Sequence, residues 1–172
     1  MARDVADIRT QIFEREDRAA PWRSQFGWSR GPEPPVRILN PHVMVGIGGS
    51  VPTRETVYPL FPAGDLLFMT SEQMEMLIDA VEALGEQRPG GPPRMPRDMV
   101  SFLAAHVPVH GGMLGGIWSF ASRPEVVSVT FTDEDRTMAE VGIRAYFSGG
   151  TLLMEKREGS WRVTGVGLTY VN

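Results

Sequence analysis

Three polar side chains in the C-terminal part of the chain could do chemistry together. Glu140, Arg144 and Tyr146 are separated by even intervals, so on a β-strand all three would lie on the same face. An acid and a phenol beside an arginine could transfer a proton next to a bound carbonyl or carboxylate group. The same spacing also fits a solvent-facing Glu–Arg pair of small energetic value. The sequence leaves open whether these residues face a cavity, a second subunit or water.

Two histidines raise the question of a metal site. His106 and His110 are four residues apart, a spacing that on a helix places two imidazole rings on one face. Pro108 lies between them and removes a backbone donor, so the pair is not expected to share a continuous helix. We therefore predict no metal and no cofactor. His106 is either a structural histidine or, together with Trp118, part of the lining of a pocket.

Two further motifs lack essential parts of a binding loop. Residues 46–50 are rich in glycine, but Pro52 follows and the glycine spacing and helix of a phosphate loop are missing. A hairpin or bulge is expected there. Asp133, Asp135 and Thr137 lack the glycine and the bidentate glutamate of a calcium loop, which predicts a turn between strands.

The composition excludes several classes of protein. The 172 residues contain no cysteine, which rules out disulfides, thiolate metal sites and cysteine nucleophiles. Lys156 is the only lysine, so P-loop chemistry and almost all Schiff-base chemistry are excluded. The net charge of −4 argues against nucleic acid or an anionic membrane as the main partner. Neither a long apolar run nor a signal-peptide pattern is present, which predicts a cytoplasmic protein without a transmembrane segment.

A predicted β-meander positions the polar residues. Along residues 136–148, Val141 and Ile143 point to one face, with Ala145 and Phe147, while Glu140 and Arg144 point to the other. Strands are predicted at 126–132, 136–148, 151–157 and 161–171, with turns at 133–135, 148–150 and 158–160.

Neighbouring strands should extend the apolar face of this meander. Leu153 points away from the apolar side chains beside it, so the opposite face is not uniformly polar. The residues expected to join Val141 on the apolar face are Val127, Val129, Phe131, Leu152 and Met154.

Helices and short strands precede the meander. Residues 5–20 predict a helix with Val5, Ile8 and Ile12 on its apolar side and Arg9 among the residues of its charged side. A second helix is predicted at 71–84, begun by a capping box of Thr70 and Gln73, and a third from 97 to about 106. Residues 111–122 fit either a strand or a close-packed helix, and short strands are predicted at 36–39, 43–47, 56–61 and 66–69.

These elements predict an α+β fold. We expect a curved antiparallel sheet that ends in the four-strand meander and is covered by two or three helices. Residues 1–172 are expected to form a single domain, in which residues 1–35 are an N-terminal helix and a proline-rich aromatic arm and residues 36–172 are the core.

The aromatic arm offers a possible contact with a partner. Trp22, Phe26 and Trp28 are spread among arginine, glycine and proline residues, and each can bury a large area. The arm either packs back on its own core or docks on another subunit.

The C-terminal hairpin resembles a known superfamily. Residues 150–163 (GTLLMEKREGSWRV) contain an apolar strand, a charged turn with glycine and a Trp-Arg-Val strand start. This pattern resembles the closing hairpin of the NTF2-like (cystatin-like α+β) superfamily, including its SnoaL-like members, over about the last 50 residues of the chain. The resemblance implies a curved sheet with a conical pocket, used by isomerases, dehydratases, cyclases and epoxide hydrolases or by binding and dimerisation modules.

Two functions follow as hypotheses. The first is a pocket for a small apolar ligand, lined by His106, Trp118, Glu140, Arg144 and Tyr146, in which acid–base catalysis remains an open question. The second is a non-catalytic interaction protein, a homodimer or an accessory subunit of a larger assembly that docks through the arm. In both cases we expect a homo-oligomer or a member of a complex.

Overall fold

The structure, a computed structural model, describes residues 1–15, 22–23, 37–60, 66–73, 76, 109–111, 118–120, 125–145 and 148–171. The chain divides into two compact units. The first unit comprises Met1–Arg30, Pro41–Ala63 and Arg123–Asn172, and the second comprises Gly31–Asn40 and Gly64–Ser122. The single domain remains a prediction.

The described elements are one helix and ten strands. The helix α1 spans Ala2–Thr10 and continues as a π-helical turn over Gln11–Arg15. The strands are β1 (Arg37–Leu39), β2 (His42–Ile47), β3 (Thr53–Thr56), β4 (Leu66–Phe68), β5 (Val109–Gly111), β6 (Trp118–Phe120), β7 (Glu125–Phe131), β8 (Met138–Ala145), β9 (Ser148–Arg157) and β10 (Ser160–Val171).

The first unit contains a six-stranded sheet in the order β10-β9-β8-β7-β2-β3. The four strands that come last in the chain, β7 to β10, form the antiparallel meander that the alternation of side chains predicts. The turn between β7 and β8 is held by the carboxylate of Asp133, which accepts hydrogen bonds from the backbone N–H groups of Thr137 and Met138. The hydrogen bond from the Thr137 hydroxyl lowers the pKa of Asp133, with further help from these N–H groups. An α+β fold with a C-terminal meander is therefore confirmed.

The sheet is mixed, whereas the sequence predicts an antiparallel one. β2 pairs in parallel with β7, so that Met44 lies beside Ser128 and Ile47 beside Phe131. Short turns reveal only antiparallel neighbours, because parallel strands need a long crossover connection. β2 also forms the expected hairpin with β3, whose turn places Gly49 at a φ of 70°, in the left-handed region.

Two of the differences from the predicted boundaries have a clear physical cause. Residues 148–150 belong to β9 instead of forming a turn, and Gly149 and Gly150 pair with Arg144 and Ile143 of β8. Their turn-forming composition is outweighed by the backbone hydrogen bonds that continue the ladder. The strand predicted at 56–61 lies at Thr53–Thr56 instead, because the turn after β2, closed by a hydrogen bond from the Ser50 N–H to the Ile47 carbonyl oxygen, brings Thr53 opposite Val45.

One face of the sheet forms the core with α1, and we call it the inner face. Lys156 lies on the same face of β9 as the buried Leu152 and Met154. Its ammonium group donates a hydrogen bond to Asp4 of α1, at 2.7 Å. The helix therefore lies on the side of the sheet where the apolar side chains point. The fully buried large side chains of this unit include Val5, Ile8, Ile12, Val43, Phe131, Ile143, Leu152 and Trp161.

A β-bulge changes one predicted core residue. The register of β7 against β8 shifts between Val126 and Ser128. Val126 is consequently fully buried opposite Ile143, whereas Val127, which simple alternation assigns to the apolar face, is only partly buried. The other predicted members of the apolar face, Val129, Phe131, Val141, Ile143, Leu152 and Met154, are buried.

The second unit contains two small described sheets. β1 and β4 pair in parallel, and β5 and β6 pair antiparallel. Residues 71–73 are helical, and the predicted capping box is confirmed: the Thr70 N–H donates to Gln73 Oε1 at 2.8 Å, and the Gln73 N–H donates to Thr70 Oγ1 at 3.2 Å. Most of the predicted second helix and all of the third lie outside the described residues.

Candidate interaction surface

The face of the sheet opposite α1 is the surface on which the predicted polar residues lie, and we call it the outer face. Along β8 the buried Ala139, Val141 and Ile143 alternate with the exposed Glu140 and Arg144. Directly paired residues share a face, so the register extends this surface across the sheet. Its members include Met44, Arg54, Ser128, Thr130, Met138, Glu140, Gly142, Arg144, Thr151, Leu153, Glu155 and Arg162.

Large apolar side chains are exposed on the outer face. Met44 is 40% exposed, Met138 is 50% exposed and Leu153 is 39% exposed. Between them the face is lined by small residues such as Thr130 and Gly142. The surface is consequently partly apolar, and its small residues leave room for another surface to approach it closely.

A charged cluster lies at one end of β7 and β8. Arg144 Nη2 donates to Glu125 Oε2 at 2.5 Å, and the two residues are direct partners across the strands. Glu125 is buried while the Arg144 side chain is about half exposed. Arg144 thus has its charge compensated within its own chain, and the cluster holds the ends of two strands together.

Arg9 is buried near this cluster, contrary to its predicted place on the charged side of the helix. Its side chain is 0% exposed, and Nη1 donates to the carbonyl oxygen of Val57. Burial lowers the pKa of Arg9 to about 10, and the negative charge of Glu125 partly offsets that effect. The sequence contained the signal, because Arg9 follows Val5 by four residues and precedes Ile12 by three, which places it on the apolar side.

The structure brings together only part of the predicted pocket lining. Glu140 and Arg144 share the outer face of β8, with Gly142 between them. Trp118 lies in β6 of the second unit, and its side chain is outside the described part. His106 and Tyr146 are also outside the described residues.

Of the predicted partner-binding arm, the structure describes one aromatic residue. Trp22 is only 6% exposed, and the guanidinium of the neighbouring Arg23 lies 5.4 Å from its ring centre. Arg23 Nη2 also donates to the carbonyl oxygen of Ile12 at 3.2 Å. Phe26 and Trp28 lie outside the described residues, so docking through the arm remains a prediction.

Residues that the sequence analysis missed complete the candidate surface. Arg162 and Met138 are exposed on it, and Glu125 anchors Arg144. Leu153 could be recognised from the sequence as a residue of the outer face, because it points away from its apolar neighbours on β9. Arg162 was recognisable too, because the two-residue turn before β10 pairs Ser160 with Arg157 and therefore Arg162 with Glu155, and both register shifts of β10 lie beyond Arg162.

The described residues contain neither a group of metal-binding side chains nor a helix that could cross a membrane. Within them, no three histidine, cysteine or acidic side chains are grouped so that they could hold a metal ion. None of the helices described is both long enough and apolar enough to cross a bilayer.

Comparison of the chain with protein-family models, with curated proteins and with solved structures gives no match.

Proposed function

We propose that this chain is a non-catalytic interaction protein, a homodimer or an accessory subunit of a larger assembly, and that it associates through the outer face. The observation that supports this proposal is the exposure of Met44, Met138 and Leu153 on one face of the sheet. Covering the exposed part of one such side chain stabilises a complex by roughly 1 kcal/mol, before the costs of association are subtracted.

The polar residues of the outer face favour association over catalysis. Arg144 is bonded to Glu125, and Glu140 is exposed on an open strand surface. A catalytic site is usually a concave pocket in which a few polar groups converge. An exposed carboxylate beside Leu153 and Thr130 is instead suited to the polar rim of an interface.

Affinity purification of the full chain from its native cells tests the proposal. A protein that co-purifies with the wild type should be lost with Leu153→Arg, because the substitution places a charge in the centre of the outer face. The matched control is Val51→Arg, which introduces the same charge at an 88% exposed position outside the sheet. Identical sets of partners and identical self-association for all three proteins would refute the proposal.

A second candidate function is the binding of a small apolar ligand by an NTF2-like protein, with a curved sheet covered by two or three helices. The observation in its favour is the buried Glu125 with Arg9 and Arg144 near it, because buried charges often mark functional sites. Acid–base activity of the isomerase, dehydratase or cyclase type would then involve Glu140 and Tyr146.

Thermal unfolding in the presence of small apolar carboxylates and ketones tests this candidate. A true ligand should raise the Tm of the wild type and should fail to do so for Glu140→Gln and Tyr146→Phe. Equal Tm increases for all three proteins would remove these residues from the ligand site.

A further inference from the structure

Two charges of opposite sign lie on either side of Leu153 on the outer face. Glu140 pairs directly with Leu153 from β8. On the other side, Arg162 of β10 pairs with Glu155, which follows Leu153 on the same face of β9. The apolar centre of the face therefore has an acid on one flank and a base on the other.

Neither Glu140 nor Arg162 has an ion-pair partner among the residues that the structure describes. Glu155 is the nearest acid to Arg162 in the register, but its carboxylate accepts hydrogen bonds from Arg157, the shorter at 2.7 Å. An acid and a base are thus available for contacts with a second molecule.

This arrangement is complementary to itself. Consider a two-fold axis that lies parallel to the sheet and crosses β9 between Leu153 and Glu155. Such an axis exchanges the two flanks, so Glu140 of each copy faces Arg162 of the other, and the two Leu153 side chains meet near the centre. An interface of this kind uses the same patch on both subunits, which is the commonest arrangement in homodimers.

We propose, on the basis of the function proposed above, that the partner of the outer face is a second copy of this chain. The two sheets pack face to face, with Leu153 at the centre and two symmetric Glu140–Arg162 ion pairs at its flanks. The small side chains of Thr130, Gly142 and Thr151 allow the sheets to approach to the usual separation of about 10 Å. An unrelated partner would need no such pairing of opposite charges about a common centre.

Charge reversal tests this pairing. In sedimentation velocity experiments over a range of concentrations, the full wild-type chain should show a monomer–dimer equilibrium. Glu140→Arg and Arg162→Glu should each raise the dimer Kd at least about tenfold, because each places like charges opposite one another at two symmetric contacts. An equimolar mixture of the two variants should form dimers as well as the wild type does, since every introduced charge then faces its opposite.

Matched controls separate this effect from general electrostatics. Glu134→Arg and Arg3→Glu make the same charge changes at exposed positions outside the outer face and should leave the dimer Kd unchanged. Circular dichroism spectra that match the wild type establish that each variant is folded.

Three results would overturn the inference. They are a monomeric wild type at all concentrations, a mixture of the two variants that remains monomeric, and a dimer that neither variant weakens. If the inference fails but Leu153→Arg still loses a different co-purifying protein, the outer face remains an interaction surface for that protein. If Leu153→Arg changes neither association, the proposed function fails as well.

Discussion

The carboxylate of Asp4 and the ammonium group of Lys156 lie 2.7 Å apart, although 152 positions separate them in the chain. Arg136 and the N-terminal amine also approach the other oxygen of this carboxylate, each at 3.4 Å. One acidic side chain therefore connects the start of α1 to strand β9 and to the turn before β8. This cluster fixes the N-terminal helix on the inner face of the sheet.

Asp4→Asn should destabilise the protein by about 1 kcal/mol at neutral pH, because three cations lose their partly buried counter-charge. Urea unfolding measures the change. Asp7→Asn is the matched control, since it alters an acid of the same helix outside this cluster, and it should change the free energy of unfolding by less than about 0.5 kcal/mol.

The contribution of Asp4 should depend on pH. Burial by itself raises the pKa of this carboxyl, but the hydrogen bond and charge of Lys156 outweigh burial and keep the pKa below its ordinary value of 3.8. The stabilisation is therefore fully present above that value and is lost as the pH falls through the lower, folded-state pKa. The difference in unfolding free energy between wild type and Asp4→Asn should shrink in that acidic range, and a constant difference would contradict this account.

Glu125→Gln should destabilise the protein by about 2 kcal/mol. The substitution removes the negative charge that faces the buried Arg9, and it replaces the charge-assisted hydrogen bond from Arg144 with one to a neutral amide. Thermal and urea unfolding measure the loss. Glu155→Gln is the control, because it removes a carboxylate from the exposed pair with Arg157 and should cost less than about 0.5 kcal/mol. Equal effects of both substitutions would show that Arg9 is insensitive to Glu125.

Gly142→Ala should destabilise the sheet by about 1–2 kcal/mol. A methyl group at this position would overlap the hydroxyl oxygen of Ser128 and would lie 3.3 Å from Val127 Cγ2. Combining the change with Ser128→Ala should recover part of the loss, because the overlapping oxygen is removed. Gly46→Ala is the control, since its nearest neighbour would be 3.6 Å away. Double-mutant unfolding energies that simply add would exclude a contact between the two positions.

Trp161→Phe should be tolerated better than its complete burial suggests. The indole N–H of Trp161 has no hydrogen-bond acceptor among the residues described, and leaving such a donor buried costs about 1–3 kcal/mol. Removing it should largely offset the smaller packing area against Phe131, whose ring centre lies 5.9 Å away. We expect an unfolding free energy within about 1 kcal/mol of the wild type, and Trp161→Ala should cost about 3–5 kcal/mol. A loss above about 3 kcal/mol for Trp161→Phe would show that the N–H group is bonded.

The features predicted correctly from the sequence are those encoded by near neighbours. The alternation of Val141 and Ile143 with Glu140 and Arg144 depends only on the two-residue repeat of a strand, and both faces are confirmed. The capping box of Thr70 and Gln73 likewise involves residues three positions apart.

The features that could not be predicted depend on distant parts of the chain. The parallel pairing of β2 with β7 joins strands separated by nearly 80 residues, and no local pattern encodes it. The bulge at Val127 follows from how whole strands align with each other. The whole candidate surface could not be predicted for the same reason, because it combines side chains from β2, β8, β9 and β10.

The parallel contact between β2 and β7 also constrains how the protein forms during translation. The helix α1 and the hairpin of β2 and β3 emerge from the ribosome early, but the other four strands of the sheet begin at residue 125 or later. The apolar side chains of α1 and β2 therefore lack most of the sheet that buries them until about the last quarter of the polypeptide is made. A nascent chain that stalls before that point would expose Val5, Ile8 and Val43 to chaperones, whereas the finished polypeptide buries all three at once.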